Sequence, residues 1–177
     1  MTGSFVLTLS DSLATPRLLL RRVKMDDVPA MHAIFSDPEV MQYWSRLPHT
    51  DVAETQGWVA KNVAAVNSGE ADDFAVLKDD VLVGRVGIWQ GNELGLIFAR
   101  SVWGTGVARE AMEALIERSR SRGLKSIMAD IDPRNARVRR FLEKFGFRQT
   151  GEAKNTYKIG DIWTDSAYLT LDLTGDD

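Results

Sequence analysis

Cysteine is the residue that this sequence lacks entirely. Its 177 residues contain no Cys, which excludes a disulfide framework, a thiolate nucleophile and a cysteine zinc site. Histidine is almost as scarce, because His32 and His49 are the only two in the chain. A metal cluster built on histidine would need more of them, so we expect no metal site.

A basic excess and long apolar runs are also missing. The chain has 22 Lys and Arg against 25 Asp and Glu, a formal net charge of -3, whereas binding to a phosphate backbone usually needs a basic excess or stripe. There is no run of eighteen apolar residues, and the opening MTGSFVLTLSDSLATP has no basic region before an apolar one. We expect a soluble cytoplasmic protein with no nucleic-acid or membrane partner, forming a single domain over residues 1–177.

Hydrophobic periodicity predicts a mixed order of strands and helices. The predicted elements are strand 17–23, helices 26–35 and 50–69, strands 74–78, 81–89 and 93–99, helix 107–122, strand 126–132, helix 134–145, and strands 147–151 and 162–173. The three central strands form an antiparallel meander, because only the short turns Asp79-Asp80 and Gln90-Gly91-Asn92 separate them. This order predicts an α+β or mixed α/β sheet.

The most informative segment runs from Leu94 to Ala111 and reads as a strand, a Gly-rich turn and a helix. Gly104 and Gly106 remove side chains where the backbone must approach something closely. The helix that follows offers unpaired N–H groups and a positive dipole end, which suit a phosphate or pyrophosphate. A tight, closely packed turn without a ligand explains the same residues equally well.

Two nucleotide-binding motifs fit this segment poorly. A P-loop ends in Gly-Lys-Ser/Thr, which is absent, and a dinucleotide fingerprint needs a third glycine where Arg109 stands. Asp130 does lie near the end of the next strand, roughly where a ribose-binding acid is expected. The antiparallel meander before the turn nevertheless contradicts a dinucleotide-binding start.

Two longer strings carry a family resemblance. Trp103-Gly104-Thr105-Gly106-Val107-Ala108 resembles the pyrophosphate loop of the GNAT superfamily, Arg/Gln-x-x-Gly-x-Gly/Ala, with Trp103 as a departure common in RimJ/RimL-like sequences. The segment from Asp132 to Phe147 resembles the Asn-containing helix that ends in Gly-Phe after the family's fifth strand. The chain thus looks like an acetyl-CoA-dependent N-acyltransferase, most similar to the RimJ/RimL branch, over roughly residues 17–173.

This resemblance implies a mixed, mostly antiparallel sheet of about seven strands, splayed at a cofactor cleft and flanked by about four helices. The pantetheine arm of acetyl-CoA would pair with the backbone in the splay, and its pyrophosphate would lie on the loop amides. The implied cofactor-binding residues are Ile97, Phe98, Trp103, Gly104, Thr105, Gly106, Val107, Ala108, Arg109 and Asn135. Asn135 or Asp132 could instead simply cap the helix, since both residue types are typical caps. Arg137, Arg139, Arg140 and Lys144 are candidates for the 3'-phosphate, or only a solvated helix face.

The reaction implied is direct transfer of the acetyl group to a primary amine of a protein N-terminus or a small molecule, without a covalent enzyme intermediate. An ammonium has no lone pair, so a base must first remove a proton. Glu93 is the candidate base, because it begins the strand that leads to the loop and related sequences carry an acid there. The alternative for Glu93 is a solvent-facing turn residue.

The proton donor to the leaving thiolate is less well defined. Val138 and Leu142 stand where related enzymes carry Ser or Tyr, and neither side chain can donate a proton. Tyr157 is the substitute candidate, and solvent is the other. Because this donor is missing, a non-catalytic sensor that binds CoA or acyl-CoA remains a second hypothesis.

The acceptor site would lie between the first helices and the final hairpin. Tyr43, Trp44 and Trp163 are the candidate substrate contacts because they offer flat surfaces, although large aromatic residues often serve the core instead. RimL-like proteins often dimerise, so a homodimer is also among the expectations. The sequence does not specify which amine is the acceptor.

Overall fold

The computed structural model describes residues 11–175, and the expectations for residues 1–10 and 176–177 lie outside them. The strands are β1 (Ser12–Ala14), β2 (Leu18–Arg21), β3 (Ala71–Lys78), β4 (Val81–Trp89), β5 (Glu93–Phe98), β6 (Ser126–Ile131), β7 (Arg148–Ile159) and β8 (Ile162–Asp172). The α-helices are α1 (Val28–Phe35), α2 (Val52–Ser68), α3 (Val107–Ser121) and α4 (Ala136–Glu143). Short 3₁₀ turns at Met25–Asp27 and Arg100–Val102 precede α1 and α3.

The strands form one sheet in the order β1-β2-β3-β4-β5-β6-β8-β7. Neighbours are antiparallel except β5 and β6, which are parallel and share only the register pair Glu93 and Met128. On its other side β5 pairs with β4 along its whole length, from Glu93 opposite Trp89 to Phe98 opposite Gly84. The sheet therefore splays apart between β5 and β6, which confirms the predicted mixed, mostly antiparallel sheet with an opening.

The structure contains one strand that was not predicted and extends another beyond its predicted end. The eighth strand, β1, was not predicted because it has only three residues. β7 continues to Ile159 rather than ending at Gly151. Its second half is mostly polar and exposed, Asn155 has a φ of 53°, and the register with β8 shifts between Ala153 and Tyr157. Such a bulge interrupts the alternation from which strands are recognised.

β3 begins at Ala71, before the predicted start at Phe74, because two acidic residues are buried within it. Asp72 is 4% exposed and forms salt bridges with Arg22, Arg118 and Arg122. Asp73 is fully buried and pairs with a single arginine of β4. Two consecutive acidic residues usually indicate a loop. Here both carboxylates can be buried in a sheet because arginines that are distant in sequence pair with them.

The core lies on both faces of the sheet. One cluster packs α3 and α4 on one face and includes Phe98, while the other packs α1 and α2 on the opposite face and includes Ile97. Neighbouring residues of β5 thus contribute to opposite clusters, as the pleat requires. Within residues 11–175, no helix is both long enough and apolar enough to cross a lipid bilayer.

Candidate active site

A large cleft opens where β5 and β6 diverge. Its volume is about 1440 Å³, and its walls come from β5, the turn before α3, β6, α4 and the loop at 39–46 between α1 and α2. The predicted residues on its surface are Tyr43, Trp44, Glu93, Ile97, Phe98, Trp103, Gly104, Gly106, Ala108, Arg109, Asn135 and Tyr157. Small-ligand pockets usually hold roughly 300–1,000 Å³, so this cleft suits an extended ligand.

The start of α3 forms one end of the cleft, and its amides are open. The cap residue Gly106 has a φ of 83°, and no side chain caps the helix. By contrast, Asp51 caps α2 by accepting the Ala53 N–H at 2.8 Å. Since the first N–H groups of a helix have no partner within it, those of α3 are free to bind an anion from the cleft.

Two residues of this loop have structural contacts instead. Val107 is completely buried in the core, and the Thr105 hydroxyl donates to the Val102 carbonyl at 2.6 Å. Neither side chain lines the cleft. The loop is held from outside by Arg17, whose guanidinium donates to the Thr105 carbonyl at 3.1 Å and to Glu110 at 2.6 Å. The predicted contribution of Thr105 and Val107 to ligand binding is therefore one of main chain only.

Basic side chains surround the same end. Arg109, Arg137, Arg140 and Lys144 line the cleft, whereas Arg139 donates to Gln149 at 2.8 Å. The guanidinium of Arg137 lies 4.2 Å above the ring of Trp103, a cation–π contact that fixes its position. We call the α3 terminus and the lining basic residues the phosphate end of the cleft.

The free edge of β5 supplies main-chain groups to the cleft. Ala99 N–H donates to the Val83 carbonyl of the β4 side, and Met128 N–H of β6 donates to the Asn92 carbonyl, both at 2.9 Å. Because main-chain groups alternate in direction along a strand, those of Leu96 and Phe98 face the splay while those of Ile97 face β4. A pantetheine arm in the splay would thus pair with the main chain of Leu96 and Phe98. Phe98 was predicted from the sequence, whereas the predicted Ile97 faces β4 and Leu96 was not predicted.

Trp103 connects this edge to the phosphate end. Its indole N–H donates to the Phe98 carbonyl at 3.0 Å, which occupies the last acceptor on the strand edge. Leu96 keeps its N–H and carbonyl, and Phe98 keeps its N–H, for a ligand in the splay. The departure from the family loop pattern at position 103 thus has a structural role in this chain.

Asn135 performs the capping role and also faces the cleft. Its side-chain oxygen accepts the Val138 N–H at 3.1 Å, so the capping interpretation holds for that oxygen. The residue is part of the cleft lining as well, and its amide NH₂ group is not needed for the cap. Asp132, the other candidate cap, is instead held by the Arg134 guanidinium at 2.6 Å.

At the opposite end of the cleft, Glu93, Asp130 and Tyr157 come together. The Tyr157 hydroxyl donates to Asp130 at 2.9 Å. Burial and the negative charge of Asp130 raise the pKa of Glu93. Burial, the hydrogen bond to Asp130 and the charges of both carboxylates raise the pKa of Tyr157 to about 12. A carboxylate with a raised pKa beside a second one can attract an ammonium and accept its proton.

Sequence reasoning missed Asp130 as a member of this group. The available signal was its position near the end of a strand beside the opening, which suggested a ribose contact instead. Its partner Tyr157 lies on β7, far along the chain, and the bulge between Ala153 and Tyr157 determines where that side chain points. We call Glu93, Asp130 and Tyr157 the acceptor end of the cleft.

Aromatic residues form one wall of the acceptor end. Tyr43 and Trp44 line the cleft as predicted, and Trp58 and Trp89 join them although their sequence context gave no sign of it. Trp163 does not line the cleft, because it is 54% exposed near the tip of the β7–β8 hairpin. Among residues 11–175, no group of three or more His, Asp or Glu side chains is arranged to hold a metal ion.

Comparison with known proteins agrees with this geometry. The profile of the Acetyltransferase (GNAT) domain matches residues 17–148. An uncharacterized N-acetyltransferase, p20 of Bacillus licheniformis, is 31% identical over 150 residues, which cover 80% of this chain and 84% of p20. A GNAT-family acetyltransferase structure from Bacillus anthracis has a TM-score of 0.80 and 27% identity, covering 93% of this chain and 99% of that one.

The fold is also that of RimL, the ribosomal L7/L12 alpha-N-protein acetyltransferase, in its complex with coenzyme A. That structure has a TM-score of 0.81 at 18% identity and covers 93% of this chain and 98% of its own. At this identity the similarity to RimL shows the fold alone. Family membership is shown by the family profile and by the p20 relative. The chain belongs to the GNAT family of N-acetyltransferases.

Proposed function

We propose that this protein transfers an acetyl group from acetyl-CoA to a primary amine bound at the acceptor end. The observation that carries the proposal is that a single cleft has one end suited to bind an anion and another end suited to accept a proton. An uncapped helix terminus with basic neighbours lies at one end, and a carboxylate with a raised pKa lies at the other. Between them runs a strand edge with free main-chain groups, long enough to guide an extended thioester.

The phosphate end would hold the nucleotide part of acetyl-CoA. The pyrophosphate would lie on the amides that follow Gly104 and Gly106, where the helix dipole favours negative charge. Arg137, Arg140 and Lys144 would contact the 3'-phosphate, and the Asn135 amide would reach the pantetheine arm. RimL, which shares this fold, has been solved in complex with coenzyme A, which supports a coenzyme A site in this chain.

The acceptor end would prepare the amine. An α-amino group has a pKa of about 7.7–8.0 and a lysine amine about 10.4, so the acceptor arrives largely as an ammonium. Glu93 accepts one proton from it, directly or through a water. The freed lone pair attacks the thioester carbonyl carbon, and the nitrogen of the new C–N bond then carries one proton more than the amide product. That proton passes to solvent as the C–S bond breaks with its electron pair remaining on sulfur. The Leu96 N–H on the free edge of β5 would stabilise the negative charge that develops on the carbonyl oxygen, and the Phe98 N–H remains for the pantetheine arm.

The thiolate would then take a proton from solvent, which has received the second proton of the amine. Tyr157 was the candidate from sequence, but its pKa of about 12 makes it a weaker acid than a thiol of pKa about 8.5. Proton transfer from this phenol to the thiolate therefore runs uphill. The role that we assign to Tyr157 is to hold Asp130 beside Glu93.

A non-catalytic sensor of CoA or acyl-CoA is the second candidate. The observation in its favour is that Val138 lines the cleft and Leu142 is buried, where a proton donor is absent. It would bind acetyl-CoA without consuming it. The raised pKa of Glu93 argues for the enzyme, because a sensor has no need of a proton acceptor there.

The test is continuous measurement of free thiol from acetyl-CoA while amines are added one at a time. The panel includes N-terminal peptides, lysine peptides, polyamines, aminoglycosides and aminoacyl compounds, and calorimetry measures acetyl-CoA binding separately. Amine-dependent thiol release with an acetylated product, seen by mass spectrometry, supports the enzyme. Binding without release for every amine would favour the sensor, and absence of acetyl-CoA binding would refute both.

A further inference from the structure

A buried arginine lies at the acceptor end and has no role in the reaction described above. Arg85 of β4 is 3% exposed and borders the cleft. Its Nε donates to Asp73 Oδ2 at 3.0 Å, and its Nη2 donates to the other oxygen of the same carboxylate. Asp73 also accepts the Trp89 indole N–H at 3.2 Å. The guanidinium is therefore fixed on one side by a fully buried carboxylate.

The other side of this guanidinium is free. Within residues 11–175 its Nη1 makes no hydrogen bond, although the side chain is almost completely buried. Nη1 is not among the fully enclosed side-chain atoms that lack a partner in the described residues, so it is open to the cleft. Nη1 is thus a strong donor directed at the cleft and not yet matched by an acceptor of the protein.

Gly95 makes room for this arrangement. A Cβ at residue 95 would lie 2.6 Å from Nη2 and 2.9 Å from Nη1 of Arg85, so any other residue would displace the guanidinium. Glu93 lies two positions earlier on the same face of β5, at a spacing of about 7 Å. The rings of Trp58 and Trp89 flank the guanidinium, with its central carbon 5.2 Å and 5.7 Å from their centroids.

We infer that Arg85 binds a carbonyl oxygen next to the acceptor amine, so that the acceptor is an α-amino carbonyl compound such as a peptide N-terminus or an amino acid. This inference rests on the proposed function. The ammonium would lie at Glu93 and Asp130 while the neighbouring oxygen accepts from Nη1. A polyamine has no such oxygen, and its second ammonium would meet the Arg85 cation. Since Asp73 already balances the charge of Arg85, the group that accepts from Nη1 can be a neutral carbonyl and need not be a carboxylate.

The test uses two acceptors that differ only by the carboxamide group on the α-carbon, L-phenylalaninamide and 2-phenylethylamine. Arg85→Lys retains a cation for Asp73 but loses the planar fork that directs Nη1. We expect kcat/KM for the amide to fall roughly 10- to 100-fold, the value of a charge-assisted hydrogen bond. For phenylethylamine we expect a change below about threefold. The different pKa values of the two amines cancel, because each acceptor is compared with itself across the variants.

Arg118→Lys is the matched control, because Arg118 is equally buried and pairs with Asp72, and it does not line the cleft. It should not change the ratio of the two acceptors. If Arg85→Lys unfolds on a thermal melt, the double variant Asp73→Asn with Arg85→Met removes both charges, and the same selective loss is expected. Free phenylalanine in parallel tells whether a carboxylate serves as well as an amide.

An equal loss for both acceptors would overturn the inference while leaving the transferase intact. The same holds if phenylethylamine or a polyamine is acetylated by the unaltered protein more efficiently than the amide. By contrast, no thiol release with any amine would mean that the proposed function itself is wrong. The acetyl-CoA dissociation constant should be unchanged in Arg85→Lys, since the residue lies away from the phosphate end.

Discussion

The two ends of the cleft are built in different ways. The phosphate end would use main-chain amides of one continuous stretch, from Gly106 to Arg109, in a loop whose shape is set by the positive φ of 74° and 83° at Gly104 and Gly106. The acceptor end uses side chains from β4, β5, β6 and β7. A site made of main chain depends on a short local pattern, whereas a site made of side chains depends on how the whole sheet is assembled.

The two ends also differ in charge. Arg109, Arg137, Arg140 and Lys144 make the phosphate end positive, and Glu93 and Asp130 make the acceptor end negative. This polarity would orient an anionic cofactor and a cationic acceptor toward opposite ends before they meet. Variants at one end should therefore change one ligand and spare the other.

The largest expected effect is at Glu93. Glu93→Gln keeps the size of the side chain and removes the proton acceptor, so kcat should fall roughly 100-fold or more, as is typical when a general base is lost. The dissociation constant for acetyl-CoA should stay within about twofold, because the phosphate end is untouched. Stopped-flow thiol release and calorimetry give the two values. An unchanged kcat would exclude Glu93 as the base.

The reverse pattern is expected at the phosphate end. Replacing Arg137, Arg140 and Lys144 together by Gln should weaken acetyl-CoA binding roughly tenfold or more, since charge-assisted contacts to a phosphate are lost. Binding of the 3'-dephospho analogue should change much less. Arg139→Gln is the control, because Arg139 already donates to Gln149. Equal weakening for acetyl-CoA and its 3'-dephospho analogue would show that these three residues do not contact the 3'-phosphate.

The same contrast explains what the sequence predicted. The order of helices and strands, the meander, the splay and the loop at 104–109 all follow from local periodicity and from glycine at positive φ. The local pattern did not predict β1, the start of β3 or the end of β7. β1 is too short, the start of β3 holds buried acids whose partners are distant in sequence, and a bulge interrupts β7.

The candidate site follows the same division. Glu93, which lines the cleft, was predicted because it begins a strand of the meander and because related sequences carry an acid there. Asp130 and Arg85 were not assigned, because nothing nearby in sequence shows that Tyr157 reaches Asp130 or that Gly95 makes space for a guanidinium. Trp163 was misplaced because the length of the β7–β8 hairpin carries it away from the cleft.

A smaller effect is expected at Asp130, and it is one of pH. A base acts when deprotonated, so kcat/KM should rise with pH through the pKa of Glu93, which burial and the charge of Asp130 raise. Asp130→Asn removes that charge, lowers this pKa and moves the rise to lower pH. The control is Asp165→Asn, because the Asp165 carboxylate is occupied by Lys154 and the Asn155 N–H. If the pH profile of Asp130→Asn is the same as that of the unaltered protein, Asp130 does not influence the pKa of the base.

The smallest effect is expected at Tyr157, the residue that sequence and structure interpret differently. Tyr157→Phe keeps the ring and removes the hydroxyl that donates to Asp130 at 2.9 Å. If Tyr157 only positions that carboxylate, kcat for thiol release should change less than about threefold, because solvent still protonates the thiolate. If Tyr157 is the proton donor, kcat should fall nearly as far as in Glu93→Gln. Tyr43→Phe, also in the cleft wall, controls for the loss of a hydroxyl. Single-turnover thiol release with a saturating amine distinguishes the two, since acceptor binding no longer limits the rate.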